Sequence, residues 1–487
     1  MNLYIINHSF HYELENLTRL FYPNEKINVI KDGAELEKPY IATSVDDMLR
    51  VSVEVGEYNC SSCAALSDDT ENERMLCELL YKILCDLTGV TPPWGMITGV
   101  RPVKLYRRLR ETEGAENADR YFTDKLFVSD GKLALAKAAE VNEKRIIDLS
   151  TPDSFSLYIA VPFCPSRCCY CSFVQSSTER SKHLIAPYVD LLCAEIEQTA
   201  EIAADLGLRL ETIYMGGGTP TTLSAEQMNR VLGTVNSAFD TSSLREFTVE
   251  AGRPDTVTKE KLISIKENNV GRISINPQTL NDDVLREIGR RHSADEFFEA
   301  FALAREVGFD SINTDLIAGL FTDTFDSFRL SLDKIRALAP ECITVHTLSL
   351  KRSAALTQDG SSIDRKDALE TARMLDYVSQ TLPHDDYIPY YLYRQSRMVG
   401  NLENTGWSKR GFESLYNIYV MDETHTILGC GAGAVTKLKA YNSTILERIF
   451  NFKYPYEYID RYAEQSERKR RIYEFYKEYF SKNTGKH

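Results

Sequence analysis

Long apolar runs are missing from this 487-residue chain. No stretch reaches the roughly 18 consecutive apolar residues that a bilayer-spanning helix needs. The opening residues, MNLYIINHSFHYELENL, contain no basic segment leading into an apolar one, so no secretory leader is expected and the chain is read as cytoplasmic. Positive charge is in deficit. Lys and Arg number 57 against 71 Asp and Glu, a net −14, which excludes a broad electrostatic hold on nucleic acid or on an anionic membrane. An anionic substrate must therefore be met by a local basic pocket. Repeats with obvious identity and low-complexity tracts are absent too, so boundaries have to be read from changes of pattern. The eleven cysteines are an odd number in a large chain, which argues for thiols and metal ligands rather than a disulfide framework.

Hydrophobic residues make up 43% and charged residues 26%, the balance of a globular protein, and the length predicts more than one core. Residues 1–150 read as an α+β domain, with β-like runs at 1–6, 26–30 and 49–55, a helical stretch at 71–87, then the turn-rich TPPWGMITGVRP and further helices. The segment STPDS at 150–154 reads as a linker. From Phe155 short β-rich runs alternate with amphipathic helices, the pattern of parallel β/α units. Strands are predicted at 156–161, 210–215, 246–251, 272–276, 311–317 and 342–348. Between the first two, Pro187 is read as a helix start, with Val189, Leu192, Cys193, Ile196 and Ala200 following at helical spacing. Six such units make an α/β sheet able to curl into a partial (β/α)6 barrel over 151–384, and chemistry in such sheets gathers at the C-terminal strand ends. The Tyr-rich remainder, 385–487, is expected to be a C-terminal domain covering the barrel mouth.

Directly after the first of these strands comes VPFCPSRCCYCSF, which spaces Cys164, Cys168 and Cys171 as Cys-x3-Cys-x2-Cys. Three thiolates from one short loop hold three irons of a cubane cluster, since soft sulfur suits iron–sulfur chemistry. The fourth iron is then left open, as a chelating amino acid requires for inner-sphere electron transfer. Zinc is the alternative. It wants a fourth Cys or His, and Cys169 lies too close to Cys168 to complete a good tetrahedron; Cys169 is read as a bystander beneath the loop. Tyr170, between the last two ligands, is either simple packing or a stacking surface for adenine.

The second strand ends in YMGGGTPTTL. Gly216, Gly217 and Gly218 let a strand edge approach a ligand closely and offer it N–H and C=O groups, or else make a tight turn. Beside a cysteine loop the ligand reading is preferred. Glu250 ends the third strand, Gln278 follows the fourth, Arg290 lies in the helix after it and Asp315 lies in the fifth strand. A lone carboxylate at such a place is usually a cap or solvated. Several polar groups at one barrel end suit a ligand instead: carboxylates for hydroxyls and an ammonium, Arg for a carboxylate. Cys60 and Cys63 with Cys77 and Cys85 are either a second metal site or buried thiols. His292 and His346, beside the pocket, are read as structural. GCGAGA at 429–434 is read as close backbone packing, and the Lys/Arg-rich end as an amphipathic helix docked on the protein itself.

Together, SLYIAVPFC, the cysteine loop, GGGTPT, NPQTL, LREIGRRH and NTDLIAGL resemble the HemN-like branch of the radical S-adenosylmethionine (SAM) proteins over about 155–433. That branch contains oxygen-independent coproporphyrinogen III dehydrogenases and the haem chaperone HemW. TPPWGMITGVRPVK, HTLSLKR, PYYLYRQ, GNLENTGW and GCGAGAVTK extend the likeness, toward the HemZ group, into both flanking units. The resemblance implies a radical SAM barrel with a [4Fe–4S] cluster on Cys164, Cys168 and Cys171, and SAM contacted by Tyr158, Gly217 and Glu250. It implies that Tyr170, Gly218, Thr219, Gln278, Arg290 and Asp315 line an adjoining pocket, which in HemN holds a second SAM, and that Ser349 is a small pocket residue. The implied activity is oxygen-independent oxidative decarboxylation of coproporphyrinogen III to protoporphyrinogen IX, in haem biosynthesis. An electron from a low-potential donor such as flavodoxin or ferredoxin cleaves SAM to methionine and a 5′-deoxyadenosyl radical, which takes a hydrogen from the propionate β-carbon. Basic residues must receive the substrate carboxylates, and Arg101, Lys351, Arg352, Arg394, Arg397 and Arg410 are the candidates. Two features depart from the relatives. Phe173 stands where HemN carries a further Cys, as it does in HemW, and the His-Asn-x-x-Tyr-Trp haem-binding motif of HemW is absent. The rivals are a haem chaperone or transferase, and radical methyl transfer to, or opening of, a tetrapyrrole.

Overall fold

Two units divide the chain in the computed structural model, which describes residues 1–31, 35–171, 173, 176–349, 365–395 and 398–480. The first gathers Met1–Glu140, a stretch ending at Ala372, and Leu392–Glu403. In it β1 (Asn2–Ile6), β2 (Asn28–Lys31), β3 (Tyr40–Val45), β4 (Leu49–Val55) and β5 (Tyr58–Ala64) form one sheet of order β2-β1-β3-β4-β5. β1 runs parallel to both neighbours, and β3 to β5 are an antiparallel meander. Strand alternation builds the core face: Leu49, Val51 and Val53 are fully buried. Helix Asp69–Thr88 packs on this sheet, and Asp68 caps it by accepting from the Glu71 N–H.

The turn-rich segment is anchored within the same unit. Trp94 Nε1 donates to Glu403 Oε2 at 2.8 Å, and Lys132 Nζ to Glu403 Oε1 at 2.6 Å. Arg394 donates to the carbonyl oxygens of Ile97 and Asn401, and burial pushes its pKa down to about 10. Both terminal nitrogens of its buried guanidinium are taken up by backbone, against the expectation that they receive a substrate carboxylate.

The second unit is built on β6 (Ser154–Val161), β7 (Phe163–Cys164), β8 (Ser176–Ser177), β9 (Arg209–Gly217), β10 (Glu246–Glu250), β11 (Arg272–Ser274), β12 (Ser311–Ala318) and β13 (Cys342–Thr347). β6, β9, β10, β11, β12 and β13 lie side by side in chain order, all parallel. Helices follow the strands at Thr178–Asp205, Ala225–Ala238, Lys259–Glu267, Ala294–Val307 and Phe325–Leu338. Their starts are written in the sequence: Ser224 with Gln227 and Ser293 with Glu296 are capping boxes. β14 (Ile388–Tyr393) and β15 (Asn404–Ser408) extend the sheet beyond β13. At the other side β16 (Thr426–Cys430) runs parallel to β6, followed by β17 (Val435–Lys439) and β18 (Leu446–Phe450). Residues after 385 thus supply strands to both edges of an open eleven-stranded sheet.

Pro187 does not begin its helix, contrary to expectation. The helix runs from Thr178, with a break at Ser181 (φ −119°, ψ 15°), and carries Pro187 inside it. The proline removes one i→i−4 bond, but Val189, Leu192, Cys193, Ile196 and Ala200 are all buried, and that apolar stripe keeps the chain helical across it.

Glu195 of this helix pairs with Lys469 at 3.1 Å, with side chains 0% and 2% exposed. Glu195 also accepts from Gly431 N, Asn451 Nδ2 and Tyr458 OH, while Lys469 Nζ donates to Gly429 O. The GCGAGA motif is the close packing here: a Cβ on Gly431 would stand 2.5 Å from both Ala160 O and Tyr188 OH. Removing one member of so desolvated a pair leaves a naked charge. Lys469→Met should therefore cost about 3–5 kcal/mol of stability, read by denaturant unfolding, with part recovered in the double variant carrying Glu195→Gln. A single variant as stable as the parent would show that the pair is not desolvated.

Candidate functional site

The loop between β7 and β8 carries the three spaced cysteines. It has little secondary structure, so bonds to its neighbours set its course. Gly218 N donates to Val161 O at 2.8 Å, Thr219 N to Phe163 O at 2.7 Å, Ser176 N to Pro162 O at 2.8 Å and Cys169 N to Ile288 O at 3.1 Å. Two glycines permit this approach. A Cβ on Gly218 would stand 2.6 Å from Phe163 O, and one on Gly289 (φ +77°) would stand 3.1 Å from Arg167 O.

Cys164 and Cys168 are buried and Cys171 is half-buried. Cys164 Sγ lies 3.3 Å from Thr219 Oγ1, and Arg253 Nη1 lies 3.9 Å from Cys168 Sγ. Burial pushes the Cys164 thiol up to about 12, against the Thr219 hydrogen bond, and Cys171 and Cys168 add to the rise. Burial raises Cys171 as well, and Cys168 contributes. The three thiols therefore feel one another. Among the described residues no group of three or more His, Cys, Asp or Glu side chains is gathered around one point. Three soft donors on one loop, with N–H and O–H groups beside two of the sulfurs, fit a cubane cluster. In the first unit, Cys60 and Cys63 are three apart on β5 and so face opposite sides of the strand.

Around the loop, Tyr158 and Tyr214 are register partners on β6 and β9, which puts their rings on one face. Tyr416 stacks on Tyr214 with centroids 4.5 Å apart. Tyr214 OH donates to Glu250 Oε1 at 2.5 Å, and a Cβ on Gly216 would stand 2.8 Å from Glu250 Oε2. Burial pushes the Glu250 carboxyl up to about 7 despite the Tyr214 bond, and Asp315 adds to the rise while His346 and the Gly217 N–H oppose it. Asp315 goes the other way. Burial works to raise it, but His346 Nε2 at 3.5 Å and Asn313 Nδ2 at 2.8 Å hold it below the usual range.

Gln278 takes a left-handed backbone (φ +69°), its N–H donating to Asp315 O at 3.0 Å and its carbonyl accepting from Ile317 N at 2.9 Å. Its side-chain Oε1 is buried with no hydrogen-bond partner among the described residues. Arg290 Nη2 donates to Gly252 O at 2.6 Å and Asn276 O at 2.7 Å, and Nη1 to Tyr170 OH at 3.3 Å. It braces the strand ends against the cysteine loop. Ser349 follows β13 and is half-buried. Of the proposed carboxylate receivers, Arg410 is exposed and Arg101 precedes helix Pro102–Glu113 in the first unit, while Lys351, Arg352 and Arg397 lie outside the described residues. Sequence reasoning passed over Tyr214, Tyr416, Ser166 and Arg253. The Tyr158–Tyr214 register was a usable signal; Tyr416 had none.

Residues 158–335 match the Radical SAM superfamily. The oxygen-independent coproporphyrinogen-III oxidase-like protein HemZ of Bacillus subtilis is 34% identical over 98% of this chain and 97% of its own length. The chain belongs to the HemN-like radical SAM family. The cofactors of that family are a [4Fe–4S] cluster and SAM. Within it, the heme chaperone HemW of Bacillus subtilis is 32% identical over 62% of this chain and 79% of its own. The structure of coproporphyrinogen III oxidase HemN from Escherichia coli superposes with a TM-score of 0.52 at 23% identity, covering 66% of this chain and 72% of that one. A shared fold follows from that likeness. No helix among the described residues is long and apolar enough to cross a membrane.

Glu250 makes a testable titration. Its folded carboxyl keeps a proton up to about pH 7, whereas an unfolded Glu releases it near 4.5. Between those values the folded state binds more protons, so stability falls as pH rises. Thermal unfolding of protein before cluster reconstitution should show the parent losing on the order of 3 kcal/mol relative to Glu250→Gln across that window. Parallel pH profiles for parent and variant would show that Glu250 titrates normally.

Proposed function

We propose that this radical SAM protein carries out the oxygen-independent oxidative decarboxylation of coproporphyrinogen III to protoporphyrinogen IX. Cys164, Cys168 and Cys171 are the cluster ligands, and Tyr158, Gly217 and Glu250 contact SAM. The observation that carries the reading is the unmet Gln278 Oε1 beside Asp315. An unsatisfied buried acceptor costs about 1–3 kcal/mol, so a ligand donor is expected there, and a porphyrinogen presents pyrrole N–H groups. Similarity to the HemZ protein over nearly the whole chain supports the same reading.

When bound, the cluster and SAM supply reductive cleavage of SAM and abstraction of a hydrogen atom; the electron comes from a low-potential donor. The chain's own residues orient and shield. Tyr158, Tyr214 and Tyr416 form an aromatic wall beside Glu250. Asp315, held charged by His346 and Asn313, is set to accept from a hydroxyl or an ammonium. Tyr170, fixed by Arg290, gives a flat surface next to the cysteines. One observation favours the rival haem chaperone: Phe173, which HemN replaces by Cys, is 63% exposed beside the cysteine loop.

Anaerobically reconstituted protein should hold about four iron and four sulfide per chain. Replacing Cys164, Cys168 or Cys171 by Ala should abolish the cluster, while Cys169→Ala should keep it. With coproporphyrinogen III, SAM and a low-potential reductant, protoporphyrinogen and 5′-deoxyadenosine should rise together. Asp315→Ala should lower both by orders of magnitude, because a misplaced reacting group forfeits its alignment. Tight stoichiometric haem binding, with no decarboxylated product under any reductant, would put the chaperone in place of the enzyme.

A further inference from the structure

Arg253 follows the end of β10 and leads into the short turn Pro254–Thr256. It is 3% exposed. Its Nε and Nη2 donate to the two carboxylate oxygens of Asp255, at 3.0 and 2.9 Å. This fork fixes the plane of the guanidinium. The remaining nitrogen, Nη1, is thereby aimed into the cysteine loop, 3.1 Å from Ser166 Oγ and 3.9 Å from Cys168 Sγ. Ser166 Oγ in turn donates to Gly289 O at 2.9 Å, so the loop is tied to the turn at Gly289 through the same contact. A buried, permanently charged group is pinned against one cysteine sulfur by Asp255 and Ser166.

We propose that Arg253 is a positioning residue that raises the reduction potential of the cluster, by presenting a charged N–H to the Cys168 thiolate; the inference rests on the reading of Cys168 as a ligand. Reduction adds one negative charge to the cluster. A fixed cation beside a ligand sulfur stabilises that reduced form more than the oxidised one, and hydrogen bonds to the sulfurs are among the levers that set iron–sulfur potentials. Asp255 acts against it, since its carboxylate partly cancels the guanidinium's field while holding it in place. The two residues should therefore move the potential in opposite directions.

The test is an anaerobic, EPR-monitored redox titration of the reconstituted full chain with dithionite, with iron content measured alongside. Arg253→Gln should shift the reduction equilibrium about tenfold toward the oxidised cluster, a fall of about 59 mV for a one-electron couple. Asp255→Asn should raise the potential. Packing damage alone gives no reason for opposite signs. Unchanged potentials, shifts of one sign, or loss of iron from both variants would overturn the inference and leave the pair as a clamp on the loop. If only Arg253→Gln loses its iron, Asp255→Asn decides: a rise upholds the proposal and no rise overturns it. A parent protein without a four-iron cluster, or Cys168→Ala that retains one, would instead remove the ligand assignment beneath it.

Discussion

The cysteine loop has to hold three thiols in fixed positions without a hydrogen-bond ladder of its own, and its neighbours are placed by that constraint. On one side the chain leaving β9 lies so close to residues 161–163 that only glycine fits at 218. On the other side the turn at Ile288 and Gly289 accepts from Cys169 N and lies against Arg167 O. Arg290 then carries the constraint inward, since its two bonds to Gly252 O and Asn276 O reference that turn to the ends of β10 and β11. A parallel sheet suits this task because it delivers all those ends to one side. The loop borrows its rigidity from the successive strands beneath it.

The same side of the sheet holds two carboxylates with opposite fates. Glu250 meets one phenol and the Gly217 N–H in a wall of aromatic rings, and burial wins: its carboxyl is raised to about 7. Asp315 is also buried, but His346, Asn313 and Thr344 supply enough hydrogen bonds to keep it ionised. Donor count and the charge of Asp315, which raises Glu250, separate the two, since burial acts on both in the same direction. A cationic ligand near Glu250 would draw it into the charged form, whereas Asp315 is charged already.

Much of this was legible in the sequence, for identifiable reasons. Each parallel strand of the barrel announced itself as a short β-rich run between helical stretches, and all six were found within a few residues of their observed limits. Glu250, Gln278 and Asp315 could be named because period and strand end together locate the chemical side of such a sheet. What pattern cannot show is what a side chain meets there. Arg290 looked like a receiver of carboxylates, and Arg394 like another, yet each gives hydrogen bonds to two backbone carbonyls. Arg253 gave no signal, since Cys168, 85 residues away in the chain, becomes its neighbour only when β10 lies beside the loop. Pro187 misled because local propensity was outweighed by the burial of the helix that carries it.

The chain after 385 has a stronger claim on the site than a cover would have. Helix Leu415–Asp422 is capped by Ser414, whose hydroxyl donates to Glu246 Oε1 at 3.0 Å, while Leu415 N donates to Glu246 Oε2 at 2.6 Å. That double bond to the start of β10 sets the first turn of the helix, and Tyr416 in that turn completes the stack with Tyr158 and Tyr214. Farther along, β16 takes its register from β6, and Lys469 neutralises a glutamate buried in the first barrel helix. A barrel cut at the end of the superfamily match, residue 335, would therefore expose the edge of β6, strand a buried charge at Glu195 and open the wall around Glu250. Cys164, Cys168, Cys171 and Glu250 lie within that match, but the aromatic surroundings of Glu250 are made jointly with Tyr416, well outside it. The aromatic half of the site is in this sense a property of the whole second unit, and the HemN-like barrel is its frame.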